Sequence, residues 1–296
     1  MKGSNRMHMV EAKGILSAKN GMNIYRGCTH GCIYCDSRSK CYQMKHDFED
    51  VQVKLNAPQL LESALRSKRK KCMIGTGAMS DPYIHIEEEL QLTRTCLSLI
   101  ADYGFGLAIQ TKSSRILRDL DLLLAIHKQA KCVVQMTLTT YDEDLCRVLE
   151  PDVSTTRERF EVLKILRDHG IPTIVWLSPI LPLINDTDEN LRGLMDYCIE
   201  AKVKGIICFG MGLTLRDGNR EYFYGKLDEH FPKMKEKYIA RYGDLYYVAS
   251  PRSERLMAIF QDLCRRYKIM HSVKDCFEYL QAFEDRGPRQ MSLPLA

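Results

Sequence analysis

The chain has 296 residues, 45% of them hydrophobic and 27% charged, with 43 Lys+Arg against 38 Asp+Glu and a formal charge of +5. That apolar mass suits a sizeable core and excludes global disorder, while 18 Gly and 10 Pro without a period exclude collagen-like and low-complexity chains. No apolar run approaches the roughly 18 residues of a membrane span, and the opening MKGSNRMHMVEAKG lacks the apolar centre of a secretory signal, so a cytoplasmic protein with no membrane partner is expected.

In chain order, short β-rich apolar runs predict strands over 21–25, 72–75, 106–110, 132–137, 173–177 and 205–209. Helix-period stretches over 57–67, 87–102, 116–127, 156–169 and 188–201 lie between them. This alternation predicts an α/β fold, a mostly parallel sheet with helices outside, in the size range of a barrel or part-barrel. After an N-terminal segment (1–20) and this unit (21–215), the rhythm changes. Helices are expected over 226–242, 253–267 and 272–283, as a C-terminal extension (216–285) followed by an exposed tail (286–296).

Twelve cysteines are too dilute for a disulfide scaffold, and four of them cluster: Cys28, Cys32, Cys35 and Cys41. The segment Arg26-Gly-Cys28-Thr-His-Gly-Cys32-Ile-Tyr-Cys35 follows the first predicted strand with C-x3-C-x2-C spacing. Ordinary [4Fe–4S] clusters take four cysteines, so a compact set of three leaves one iron free to bind something else. Gly27 and Gly31 supply the backbone freedom of a tight wrap. The competing reading is a zinc site closed by Cys41 or His30 as fourth ligand.

C-x3-C-x2-C after a first strand resembles the radical S-adenosylmethionine (SAM) superfamily. The resemblance implies a partial (βα)6 TIM-type barrel, a [4Fe–4S] cluster on Cys28, Cys32 and Cys35 with Tyr34 packed beside it, and SAM cleaved by one electron to a 5′-deoxyadenosyl radical. A narrower resemblance, over roughly 21–267, is to the spore photoproduct lyase family. It rests on Ser80-Asp-Pro-Tyr83, Leu92-Thr-Arg-Thr-Cys-Leu97, Gln110-Thr-Lys-Ser-Ser114, Arg118-Asp-Leu-Asp121, Glu150-Pro151, Pro179-Ile-Leu-Pro182 with Asn185-Asp186, and Phe231-Pro232. Ligands of parallel barrels lie at the C-terminal strand ends, which picks out Gly75, Gly77, Ala78, Lys112, Ser113, Thr137 and Ser178 for SAM, with Lys112 pairing its carboxylate. The family splits a thyminyl-thymine lesion in DNA, and its best-known members carry a hydrogen-donor cysteine where this chain has Ala78 and a tyrosine where it has Asp36. Tyr83, Tyr141 and Cys208 are therefore candidate replacements.

For a nucleic-acid partner, Arg216, Arg220, Arg252 and Arg255 are interleaved with Tyr222 and other aromatics. The tail segment Gln290-Met-Ser-Leu293-Pro-Leu295 resembles the peptide by which bacterial DNA-processing proteins dock on the sliding clamp, with Gln290 on a polar subsite and Leu293 and Leu295 in an apolar pocket. The resulting expectation is a radical SAM lyase on DNA photolesions, served by an electron donor such as flavodoxin or ferredoxin. A peptide- or protein-modifying radical SAM enzyme is the alternative, and a DNA-associated iron–sulfur or zinc module without SAM turnover the second.

Overall fold

In the computed structural model, which describes residues 7–287, the chain opens with strands β1 (Met7–Val10), β2 (Gly21–Met22), β3 (Tyr25–Arg26) and β4 (Val51–Lys54) and helix α1 (Ala57–Ser67). There follow β5 (Met73–Thr76), α2 (Glu87–Leu90), α3 (Leu92–Asp102), β6 (Gly106–Thr111), α4 (Leu120–Gln129), β7 (Cys132–Thr137), α5 (Glu143–Leu149), α6 (Thr156–Asp168), β8 (Thr173–Trp176), α7 (Asp188–Glu200) and β9 (Gly205–Ile207). The last part carries β10 (Gly212–Thr214), α8 (Asn219–His230), α9 (Met234–Tyr242), β11 (Tyr247–Ala249), α10 (Ser253–Arg266) and α11 (Val273–Gln281).

Six strands form one sheet in the order β2-β5-β6-β7-β8-β9, and every neighbouring pair is parallel. Parallel strands need crossovers, which places helices over the sheet and buries both of its faces. β7, Cys-Val-Val-Gln-Met-Thr, is accordingly buried at all six positions. On the outer face Leu107, Ile109, Val134, Met136, Val175 and Ile206 meet Leu61, Leu97, Ile126, Leu163, Leu194 and Phe260 from the surrounding helices. On the inner face Met73, Ala108, Val133, Ile174 and Ile207 meet Cys276 and Leu280 of α11. The stretch expected as a helical extension thus divides: α10 joins the outer ring against α7, and α11 enters the bore. The fold is the expected α/β part-barrel of six βα strands.

Local differences from the expected elements have local causes. The run 21–25 splits between two sheets, because Gly21 and Met22 pair with β5 while Tyr25 and Arg26 pair with β4. The helix expected over 87–102 breaks at Gln91, where φ is +50°. That over 226–242 breaks at Phe231-Pro232-Lys233, since Pro232 offers no N–H and Lys233 turns left-handed at φ +62°. The three-stranded sheet β1-β4-β3 and the antiparallel pair β10-β11 were not anticipated, although Val51-Gln-Val-Lys does alternate buried and half-buried. Thr155 and Glu158 form a reciprocal capping box that starts α6.

The segment between β9 and α10 builds a second core with the cysteine loop. Cys32, Ile33 and Tyr34 pack with Leu149, Leu181, Leu213, Leu215, Phe223, Leu227 and Tyr238. Among the described residues no helix is long and apolar enough to cross a membrane.

Candidate active site

The cysteine loop runs from the end of β3 at the C-terminal edge of the barrel. Gly27 and Gly31 take φ of +97° and +67°, and a side chain on Gly27 would sit 2.5 Å from the Phe48 carbonyl. These two glycines are required by the wrap itself. Desolvation, aided by the Asp81 carboxylate, pushes the Cys28 thiol up to about 12. Burial likewise raises Cys32 well above the ordinary thiol range, while the Lys112 ammonium pulls the other way. The three thiols lie within one another's electrostatic reach. They nevertheless do not meet within 4.8 Å of one another: among the described residues the trio of close metal donors is His8, His46 and Asp50. Sulfurs around one tetrahedral zinc stand only about 3.8 Å apart. Cys28 and Cys35 are half-buried and Cys32 is buried. Cys41 is exposed beside the Arg216 guanidinium, 3.2 Å from Nη1.

Two buried networks hold this loop. In the first, the Tyr34 hydroxyl donates to Glu150, whose carboxylate also receives Arg159 Nη2 at 2.5 Å, and Arg159 Nη1 donates to the Thr137 carbonyl at 3.0 Å. Glu150 and Arg159 are both fully buried. Burial alone would push the Glu150 carboxyl up, but the Arg159 and Lys112 charges and the hydrogen bonds from Arg159 and Tyr34 hold it below the usual carboxylate range. In the second, Ser80 donates to the Gly27 carbonyl, and Asp81 accepts from Thr111 Oγ1, the Lys112 N–H and the Tyr83 N–H at 2.7, 2.7 and 2.9 Å. Asp81 Oδ2 also stands 3.6 Å from His30 Nδ1. Desolvation keeps that imidazole neutral, at about 4, although Asp81 opposes the shift. The turns after β5 and β6 are thereby clamped to the cysteine loop, with Lys112 Nζ 5.8 Å from the Tyr34 ring centre.

A cavity of about 480 Å³ occupies the bore beneath. Gly75, Gln110, Gln135 and Trp176 line it from the strands, Ala78 from the turn after β5, and Phe277 and Leu280 from α11. A Cβ on Gly75 would meet nothing within 4 Å, so this glycine leaves room in the bore. Gly77 differs: its φ is +95° and a Cβ would lie 1.9 Å from the Gln110 carbonyl. Gly77→Ala is therefore expected to cost about 1–3 kcal/mol from backbone strain alone, and more once β5 and β6 shift apart. Gly75→Ala should leave the unfolding midpoint unchanged. Chemical denaturation of the two variants side by side checks this contrast.

The other expected site residues scatter. Ser113 is buried, and its hydroxyl caps the following turn by accepting the Arg115 N–H. Thr137 is buried at the end of β7 and is tied to Arg159 through its carbonyl, while Ser178 is half-buried after β8. Tyr83 is wholly buried, its hydroxyl beside the Asp119 carboxylate and its ring 5.7 Å from the Arg118 guanidinium. Tyr141 lies partly exposed against Tyr197 and over Gly193 of α7. Cys208 turns outward to Met257 of α10, Sγ to Sδ 3.9 Å. None of these three lines the cavity.

Among the arginines, Arg216 stands by Asp36 and Cys41, and Arg220 is spent on the carbonyls of Leu215, Gly243, Asp244 and Leu245. Tyr222 stacks under Arg38 at 3.7 Å. Arg252 reaches the Asp186 carbonyl, and Arg255 pairs with Asp188 at the start of α7. Gln290, Leu293 and Leu295 lie outside the described residues. Asp81, Glu150 and Arg159, and the cavity residues Gln110, Gln135, Trp176 and Phe277, were not anticipated as site residues.

Residues 22–198 match the family described as the radical SAM superfamily. An uncharacterized protein of Mycobacterium tuberculosis (strain H37Rv) is 29% identical over 260 residues, 84% of this chain and 74% of the relative. An uncharacterized protein of Methanocaldococcus jannaschii is 34% identical over 176 residues, 59% of this chain and 65% of the relative. The structure of spore photoproduct lyase complexed with dinucleoside spore photoproduct superposes with a TM-score of 0.60 at 14% identity, covering 88% of this chain and 78% of that one.

Proposed function

This chain belongs to the radical SAM superfamily, and we propose that it is a lyase that repairs thymine photolesions in DNA. A [4Fe–4S] cluster and SAM are its cofactors; bound, they supply a single electron and a radical able to abstract a substrate hydrogen. Cys28, Cys32 and Cys35 would hold the cluster. Lys112, Gly75, Gly77, Ala78, Ser113, Thr137, Ser178 and Tyr34 would surround SAM, with Lys112 meeting its carboxylate.

The observation that carries the substrate reading is the wall of the bore. Gln135 Oε1 accepts the Trp176 indole N–H at 2.9 Å. This fixes the amide's orientation and leaves its NH2 group to donate. A thymine ring offers carbonyl acceptors and an N–H donor, a pattern that two glutamine amides can meet, and aromatic faces receive bases that have left the stack. Trp176 and Phe277 supply such faces, with Phe209 behind them at 5.9 Å and 6.4 Å between ring centres. The chain-long likeness in fold to spore photoproduct lyase supports the same reading. Arg216, Arg220, Tyr222, Arg252 and Arg255 stand as the proposed DNA contacts, some of them already paired within the protein. A sliding clamp reached by the tail and a flavodoxin- or ferredoxin-type donor complete the proposal.

The test is direct. Reduced, reconstituted enzyme with SAM and an oligonucleotide carrying the thyminyl-thymine lesion should restore two thymines, read by mass spectrometry. Trp176→Ala should weaken binding of lesion DNA about tenfold while SAM is still cleaved. SAM cleavage with no thymine restored would contradict the proposal.

A further inference from the structure

A second cluster of donor groups includes neither the thiols nor the residues that line the bore. His8 comes from β1, and His46 and Asp50 from the turn leading into β4; their donor atoms all fall within 4.8 Å of one another. His8 Nδ1 lies 3.1 Å from Asp50 Oδ2, yet neither His8 Nδ1 nor His46 Nε2 has a hydrogen-bond partner among the described residues, and both atoms are shielded from solvent. A buried nitrogen left without a partner costs about 1–3 kcal/mol, and here two such nitrogens converge beside a carboxylate. The His46 tautomer suits a ligand: its Nδ1 stands 3.0 Å from the Asp47 carbonyl. That bond places the proton on Nδ1 and leaves Nε2 as a lone pair, the outer hydrogen bond that orients metal-bound imidazoles.

We propose that His8, His46 and Asp50 bind a divalent transition cation, Zn²⁺ first among them, with one position open to water. Two imidazoles and a carboxylate match the borderline character of such ions. Donors around a tetrahedral cation stand about 3.3–3.5 Å apart, so the His8–Asp50 pair is already at ligand spacing. The ion would tie β1 to the turn behind the cysteine loop, where the Cys28 N–H donates to the Phe48 carbonyl at 3.1 Å. Its role is to stiffen the platform that presents Cys28, distinct from the cluster itself.

Full-length protein, reconstituted anaerobically and cleared of loose metal with a chelator, is titrated with Zn²⁺ and measured by calorimetry and zinc-edge X-ray absorption. One zinc per chain is expected in addition to the cluster iron, with a nitrogen–oxygen shell at about 2.0–2.2 Å and no sulfur at about 2.3 Å. His46→Gln and Asp50→Asn should each weaken zinc binding at least tenfold while keeping about four irons and the native circular dichroism. Three results would overturn the proposal: no zinc beyond the iron, a sulfur shell showing zinc on the thiols, or unchanged affinity in both variants.

Discussion

Cys28→Ala, Cys32→Ala and Cys35→Ala are each expected to lose most of the roughly four irons that the reconstituted chain carries, and to produce no detectable 5′-deoxyadenosine. Thiolates are the ligands of such clusters, and three of them leave nothing to spare. In the free chain burial holds the Cys28 and Cys32 thiols protonated, so a cluster must displace those protons, and a serine or alanine offers no equivalent donor. Cys41→Ala and Cys208→Ala should keep full iron. The first is exposed against Arg216 and the second faces Met257 on the outer side of the sheet. Iron analysis with a SAM-cleavage assay on the five variants separates the cases. A full complement of iron in Cys32→Ala would refute the ligand assignment.

Arg159→Leu is expected to destabilise the fold by about 3–5 kcal/mol, because it leaves Glu150 as a buried carboxylate without its cation. The pair is fully buried, and Glu150 also receives the Tyr34 hydroxyl from the cysteine loop. The variant should therefore lose iron more readily as well as unfold earlier. The sign of the pH dependence follows from the direction of the shift. Glu150 is held below its ordinary range in the native fold, so its contribution is full above the unfolded carboxylate pKa and is lost as pH falls through the depressed folded value. Without Arg159, burial would push the same carboxyl up, and protonation would relieve it. The difference in unfolding free energy between native and variant should hence be large at pH 7 and shrink on acidification. Denaturant titrations across that range read it directly; a gap that stays constant with pH would mean the ion pair is not its source.

Much of this architecture was readable beforehand, and the reasons are physical. A parallel sheet buried on both faces forces continuous apolar runs, which is why β5 to β9 stood out. Thiols at fixed short spacing have few structural uses, so the cysteine loop announced itself. Arg159 was missed because an arginine in an amphipathic helix normally reaches solvent, and only the fold brings it to Glu150. Gln110 and Gln135 carried a fainter sign: an amide inside an apolar strand must face a cavity or a partner, and here both face the bore. The helix α11 read as an appendage because its own periodicity says that it has an apolar face, but not which surface that face will cover. The segments that resemble those of spore photoproduct lyases include much bracing. Arg94 pairs with Asp119 and Asp121, and Asn185 supports the Thr139 carbonyl and the Leu181 N–H. Such residues mark the scaffold that positions the cysteine loop more than the chemistry it performs.

If the proposed ligand set is right, three thiols leave one corner of the cluster free for SAM. Low-temperature electron paramagnetic resonance of the reduced, reconstituted protein, recorded with and without SAM, addresses it most directly. The cluster signal should change when SAM is added, and more SAM should be needed to change it in Lys112→Ala. A signal indifferent to saturating SAM in the native chain would contradict it.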